Sequence, residues 1–120
     1  MHKRLALIIL VGYTLFLTVL SLMSLKKVPK LGSGFDDKIY HFGAYALLTI
    51  IWYNFFYTTS VKFKILASAL ISITYGIVVE VLQGTFTTYR TEDFADVVAN
   101  SIGVLFGVVF ILLYSKIKLK

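Results

Sequence analysis

The sequence predicts an all-α fold, an integral membrane four-helix bundle, and two observations support it. Hydrophobic residues make up 58% of the 120 residues, only 15% are charged, and the mean hydropathy is +0.85. Soluble domains carry about 25% charged residues, so this composition indicates that lipid is the main solvent. The chain also contains four apolar runs, each close to the roughly 20 residues with which a helix crosses a bilayer. The length fits one domain, 1–120.

The four predicted spans are joined by short connections. They cover about residues 5–25, 39–57, 65–86 and 94–114. The first follows Lys3 and Arg4, as a signal peptide would, but it is longer than a signal-peptide core and lacks a small-residue cleavage site. We therefore expect a retained membrane anchor. The longest connection contains Pro29, the only proline, which is typical of an irregular segment outside the helices.

The distribution of basic residues predicts the orientation. Seven of the 12 Lys and Arg residues lie on one side of the predicted spans and five on the other. The more basic side carries Lys3, Arg4, Lys62, Lys64, Lys116, Lys118 and Lys120, and the other side carries Lys26, Lys27, Lys30, Lys38 and Arg90. Because short cytoplasmic loops are enriched in Lys and Arg, we expect a multi-pass cell-membrane protein with both termini in the cytoplasm. The acidic residues then lie on the extracytoplasmic side.

Polar side chains recur at helical spacing near the outer ends of the second, third and fourth spans. Residues at i, i+3, i+4 and i+7 share one face of a helix. The residues are, span by span, Asp37, Lys38, His41 and Tyr45; Glu80 and Gln83; and Arg90, Asp93, Asp96 and Asn100. An ionisable side chain at the centre of a membrane helix costs about 2.5–3.5 kcal/mol, so such groups face the bundle interior. We therefore expect the three polar rows to meet.

The row on the fourth span continues into two glycines, Gly103 and Gly107. A Gly-x-x-x-Gly spacing allows the backbones of two membrane helices to approach closely. We assign these glycines to helix packing rather than to ligand contact.

These polar motifs resemble those of the VanZ-like family. They read Asp37-Lys38-x-x-His41-x-x-x-Tyr45, then Glu80-x-x-Gln83, then Arg90-x-x-Asp93-x-x-Asp96-x-x-x-Asn100-x-x-Gly103-x-x-x-Gly107. The family usually has a proline shortly before the arginine, where this chain has Thr87, Thr88 and Tyr89. The family is named for a bacterial protein of glycopeptide-resistance clusters, associated with reduced teicoplanin susceptibility. The resemblance implies a four-helix membrane bundle of the cell envelope and a link to antibiotic resistance, but no established chemistry.

Three interpretations of the polar residues remain open at this point. In the first, an outward-facing pocket binds an anionic lipid, a lipid-linked cell-wall precursor or a glycopeptide, with Lys38 and Arg90 on phosphate. The other ligand-binding candidates are Asp37, Gln83, Asp93 and Asn100. In the second, the protein is a membrane enzyme whose candidate acid–base groups are His41, Glu80 and Asp96. In the third, the polar residues form a purely structural network.

Transport through the bundle ranks below these interpretations. The cytoplasmic halves of the spans carry few polar residues, chiefly Asn54, Ser68 and Ser72. These leave a poor continuous path for a polar solute.

Other classes of site are disfavoured. The carboxylates and His41 are conceivable metal ligands, but ligand type alone is weak evidence and no two-histidine motif is present, so no metal and no cofactor are predicted. The absence of cysteine excludes disulfides and thiolate metal sites. The net charge of +6 is dispersed beside apolar runs, so we expect membrane lipids as partners and no nucleic acid. The sequence leaves the oligomeric state open.

Overall fold

The computed structural model describes residues 2–22, 36–86 and 94–118, and within them the chain forms four α-helices and no strands. The helices are α1 (Lys3–Leu22), α2 (Asp36–Phe56), α3 (Lys64–Phe86) and α4 (Phe94–Lys118). This confirms the all-α prediction. Helices α1, α3 and α4 are long and apolar enough to cross a membrane. Helix α2 is long enough, but polar side chains such as His41 and Asn54 interrupt its apolar run, so it is more polar than the other three.

Two helix ends differ from the predicted spans for physical reasons. Helix α2 ends at Phe56 because the hydroxyls of Thr58 and Thr59 donate to its last carbonyls, those of Phe55 (2.7 Å) and Phe56 (2.8 Å). Helix α4 continues to Lys118 rather than stopping at 114, because backbone hydrogen bonding does not end where the apolar stretch ends. Residues 23–25 of the first predicted span lie outside the described residues.

The helices alternate in direction through the bundle. Helices α2 and α4 run parallel, since Lys38 meets Asp96 at one level and Ala46 meets Gly107 further along both. Helices α1 and α3 also run parallel, since Thr18 meets Tyr75 and the more C-terminal Ser21 meets Gln83. Residues 57–63 span at most about 25 Å, too short to return along α2, so α3 runs antiparallel to it. We call the end with Lys38 and Asp96 the polar end, and the end with Lys3, Lys64 and Lys116 the basic end.

Helices α2 and α3 form the centre of the bundle. Each of them contacts all the other helices, whereas α1 and α4 do not contact one another within the described residues. The apolar core comprises Leu17, Tyr45, Leu48 and Val104. The outward faces of α1 and α4 are lined with large apolar side chains, for example Ile8, Leu15 and Phe16, and Leu105, Val109 and Leu113.

The interior, by contrast, holds many polar side chains. The buried ones include Thr49, Ser68, Ser72, Glu80, Gln83, Asp96 and Asn100. An apolar exterior around a partly polar interior fits a protein surrounded by lipid, which offers polar groups no hydrogen bonds.

Helix α1 is attached to α3 by side-chain hydrogen bonds. Gln83 Nε2 donates to the backbone oxygen of Ser21 (2.7 Å), which lies in the last turn of α1. We expect Gln83→Leu to lower the free energy of unfolding by about 1–2 kcal/mol, because the Ser21 carbonyl then loses this donor inside the bundle. Unfolding by SDS titration in mixed micelles measures the change. Val81→Leu, on the exposed face of α3, is the control; equal stability of the two variants would contradict the expectation.

Candidate functional site

The candidate site begins at the contact between α2 and α4, where the two backbones touch. A Cβ atom added at Gly103 would overlap the carbonyl group of Phe42, and one added at Gly107 would lie 2.8 Å from the carbonyl oxygen of Ala46. Both glycines therefore lie directly against α2. This close approach brings the polar rows of the two helices within hydrogen-bonding distance of each other.

An ion pair joins the two helices at the polar end. Lys38 Nζ donates to Asp96 Oδ1 at 2.6 Å. The Lys38 side chain is 29% exposed and the Asp96 side chain 6%. Asp96 lies in the first turn of α4, where the helix dipole favours a negative charge. The site therefore places a partly accessible cation above a buried carboxylate.

His41 lies one turn deeper and is held between two acceptors. Its Nδ1 is 2.7 Å from Asn100 Oδ1, and its Nε2 is 3.6 Å from Asp96 Oδ2. Because an amide oxygen only accepts hydrogen bonds, Nδ1 carries a proton. A second proton on Nε2 would face the Asp96 carboxylate. The ring is also stacked parallel to that of Tyr45, with 6.3 Å between centroids and 7° between planes. The orientation of the His41 ring is thus fixed by Asn100 and Tyr45, with Nε2 facing the Asp96 carboxylate.

Asn100 carries the network to the middle of α3. A Cβ atom added at Gly76 would lie 3.0 Å from Asn100 Nδ2 and 2.9 Å from a ring carbon of Tyr45, so α3 lies against both side chains here. Among the residues that the structure describes, none accepts a hydrogen bond from Asn100 Nδ2. The amide therefore has a donor to offer inside the bundle.

The two polar side chains of α3, Glu80 and Gln83, have different neighbours. Glu80 is 5% exposed, and Tyr45 lies within electrostatic reach of both Glu80 and Asp96. Gln83 is buried but its amide points to Ser21 of α1. Of the predicted site residues, the structure thus brings Lys38, His41, Asp96 and Asn100 together, with Glu80 nearby.

Three predicted residues stay predictions. Arg90 and Asp93 lie outside the described residues, as do Thr87, Thr88 and Tyr89. Asp37 belongs to α2, but its side chain is not described. In the described part of the chain, no group of three or more His, Cys, Asp or Glu side chains is arranged to hold a metal ion.

The sequence reasoning missed a second set of polar contacts, which join α1 to α3 and to α2. Tyr75 and Thr18 share a hydrogen bond between their hydroxyls, and Thr18 Oγ1 donates to the Thr14 carbonyl at 2.8 Å. Tyr13 donates its hydroxyl to the Ala44 carbonyl at 2.6 Å. A signal was available, because Thr14 and Thr18 are four residues apart. Single hydroxyls do not stand out against an apolar helix.

Comparison with known families identifies the chain. The VanZ/LLP1 family profile matches residues 5–115, which include nearly all of the four helices. The chain belongs to the VanZ/LLP1 family. It is also 33% identical over 92 residues to the uncharacterized protein C11E3.10 of Schizosaccharomyces pombe (strain 972 / ATCC 24843). That alignment covers 77% of this chain and 56% of the yeast protein, so the chain spans about half the length of this relative. No solved structure matches.

Family membership and the three long apolar helices together indicate a VanZ/LLP1 membrane protein. The family match extends over α1 as well as over the polar rows of α2, α3 and α4. The residues that form the hydrogen bonds between α1 and α3 therefore lie within the VanZ/LLP1 match.

Proposed function

We propose that this VanZ/LLP1 protein binds the anionic headgroup of a lipid or a lipid-linked cell-wall precursor at its polar end, and that this binding lowers teicoplanin susceptibility. The observation that supports the proposal is the position of Lys38. Its ammonium group is partly exposed, while its partner Asp96 and the adjoining His41 and Asn100 are buried. A headgroup can therefore reach the cation from outside and extend toward the buried donors.

The chemistry of the site suits a phosphate bonded to a polar headgroup. Lysine binds phosphate as a point charge with three donors. Asn100 Nδ2 is a buried amide donor to which the described residues offer no acceptor. Arg90, predicted at the same end of the bundle, would add a second cation. Asp37 and Asp93 would accept hydrogen bonds from the headgroup's hydroxyl or amide groups.

The predicted orientation in the membrane and the similarity to a yeast protein both bear on which ligand the polar end binds. With both termini in the cytoplasm, as the basic residues predict, the polar end faces the outer leaflet. The similarity to a yeast protein favours a lipid headgroup over a cell-wall precursor, because anionic lipids occur in both bacterial and fungal membranes.

The susceptibility test compares wild type, empty vector and the double variant Lys38→Met/Asp96→Leu in a teicoplanin-sensitive bacterium at matched membrane levels. We expect wild type to raise the inhibitory concentration above that of the empty vector, and the double variant to abolish the increase. The double variant removes both charges of the ion pair together and so leaves neither buried alone. Lys116→Met makes the same lysine change at the basic end, at an exposed position, and should behave as wild type. Equal susceptibility of wild type and empty vector would refute the resistance proposal.

A binding test needs no resistance phenotype. In phosphatidylcholine nanodiscs, adding phosphatidylglycerol should stabilise the purified wild type, by about 2.7 kcal/mol when the lipid is at 100 times its dissociation constant. The double variant should lose this stabilisation and Lys116→Met should keep it. If all three proteins respond equally, the lipid acts on the whole surface and not at the polar end.

One observation favours a second candidate, a membrane enzyme. His41 is held between Asn100 and Asp96, an arrangement that keeps a general acid or base in place. Purified protein would then chemically alter phosphatidylglycerol in a mass-spectrometric assay, and His41→Gln would slow this about 100-fold or more. If the folded wild type leaves that lipid unchanged, the assay gives this candidate no support.

A further inference from the structure

Three buried polar atoms near the middle of the bundle lie outside the Lys38–Asp96 ion pair. They are Thr14 Oγ1 on α1, Ser72 Oγ on α3 and Asn100 Nδ2 on α4. Within the described ranges, none of the three atoms has a hydrogen-bond partner. They come from three different helices, so they are not a local feature of one segment.

The register of the helices places these atoms at neighbouring levels. Asn100 Nδ2 lies against Gly76, and Ser72 is one helical turn from Gly76 on the same face of α3. The hydroxyl of Tyr75 reaches Thr18 and the Thr14 carbonyl, so Thr14 lies at nearly the same level on α1. We call Thr14, Ser68, Ser72 and Asn100 the central seam.

The seam extends beyond the middle toward the basic end. Ser68 is one turn further along α3 than Ser72, and both are fully buried. On the buried face of α3, Ser68 and Ser72 form one polar group and Glu80 and Gln83 a second. Between the two groups lie the apolar Val79 and Gly76, and Asn100 of α4 packs against Gly76.

The missing hydrogen bonds have a physical consequence. A buried hydroxyl without a partner costs about 1–3 kcal/mol, and lipid cannot supply one. Other hydroxyls in this bundle donate to the carbonyl one turn earlier, as Thr18, Thr49 and Ser68 do. Ser72 and Thr14 do not. A water inside the bundle would satisfy several such groups at once.

We propose that the central seam is a hydrated proton relay that connects the His41–Asp96 pair at the polar end with the basic end. A proton moves between water molecules and hydroxyls, each O–H bond that breaks being matched by one that forms, while the Asn100 amide only holds a water through Nδ2 and keeps its own protons. At the polar end the proton is exchanged between that water and the His41–Asp96 pair. The relay shares Asp96 and Asn100 with the proposed headgroup site, but Thr14, Ser68 and Ser72 take no part in headgroup binding, so variants at Ser72 test the relay separately.

The first test measures hydration. The chain has no cysteine, so single-cysteine variants report one position each. In proteoliposomes, Ag⁺ should react with Ser72→Cys at least about tenfold faster than with Leu70→Cys, because a thiol in water forms the reactive thiolate and one facing lipid does not. Leu70 is on the same helix and 56% exposed on its outer face. Equal reaction rates would overturn the proposal.

The second test measures proton movement. Proteoliposomes containing a pH-sensitive dye are given a potassium gradient and valinomycin, so that potassium flow balances the charge carried by protons. We expect wild type to conduct faster than protein-free vesicles, and Thr14→Val/Ser72→Ala to be slower by about tenfold. Ser101→Ala is the control, because Ser101 donates to the Val97 carbonyl (2.9 Å) on α4, outside the seam.

A third measurement compares one folded variant before and after Ag⁺ is added, so it does not depend on the folding of the double variant. Ag⁺ should stop the proton flux of Ser72→Cys and leave that of Leu70→Cys unchanged. Wild-type flux equal to that of protein-free vesicles, or Ser72→Cys flux that persists after Ag⁺ has reacted, would overturn the relay.

Discussion

Gly103→Ala will destabilise the bundle by about 3 kcal/mol, whereas the same substitution at Gly43 will be neutral or slightly stabilising. The added methyl at Gly103 would overlap the Phe42 carbonyl, which belongs to a helix backbone and cannot rotate away. Helices α2 and α4, which share the most extensive contact in the bundle, would have to separate. At Gly43 an added Cβ meets nothing within 4 Å, and alanine favours a helix over glycine by up to about 1 kcal/mol.

SDS titration in mixed micelles measures both variants. Gly107→Ala provides an intermediate case, because its added Cβ would lie 2.8 Å from the Ala46 carbonyl oxygen and 3.1 Å from Thr49 Cβ. We expect the loss of stability to follow the order Gly103, Gly107, Gly43. A Gly103→Ala protein as stable as wild type would show that the backbones of α2 and α4 do not touch at Gly103.

Lys38→Met will cost more stability than Asp96→Leu, although both break the same ion pair. Removing Lys38 leaves a carboxylate that is 6% exposed without its cation, and breaking a buried pair in this way costs about 3–5 kcal/mol. Removing Asp96 leaves an ammonium group on a side chain that is 29% exposed and can turn toward water. The double variant should recover most of the loss, because apolar replacement of a whole buried pair is often neutral.

The same unfolding assay gives a double-mutant cycle, with Lys116→Met as a surface control expected within about 0.5 kcal/mol of wild type. If the two single effects add to within about 0.5 kcal/mol, the residues are not coupled and the ion pair has no energetic role. The cycle also separates structure from function. A double variant that is stable but leaves teicoplanin susceptibility at the empty-vector level supports a binding role. One that is stable and confers wild-type susceptibility supports a purely structural network.

Much of the fold could be predicted because lipid imposes simple rules. The apolar runs predicted four helices, because within a single segment only a helix supplies hydrogen-bond partners for its own backbone N–H and C=O groups inside a bilayer. Helical spacing placed Asp96, Asn100 and Gly103 on one face of α4, and the structure turns that face toward α2. His41 and Lys38 were singled out because a charged group within an apolar run needs a partner.

The pairings could not be predicted, for a geometric reason. Spacing along one helix fixes which residues share a face, but not how far that helix slides or rotates against its neighbours. Gln83 was grouped with Glu80 as a site residue, yet its amide reaches Ser21 of α1. The hydroxyls of Thr18 and Tyr75 meet only because α1 and α3 run parallel in this register.

The sequence alone determined that this protein is a helical membrane bundle and which residues its helices would turn inward. The reason is that a charged side chain facing lipid costs several kcal/mol, so such residues face the bundle interior. The tertiary structure alone decided that Lys38 pairs with Asp96, that His41 is held between Asp96 and Asn100, and that Ser72 Oγ and Asn100 Nδ2 are buried without a hydrogen-bond partner among the described residues. Those outcomes depend on the axial register of helices far apart in the chain. Register is set by how all four helices pack at once, with Gly76, Gly103 and Gly107 at the points of closest approach.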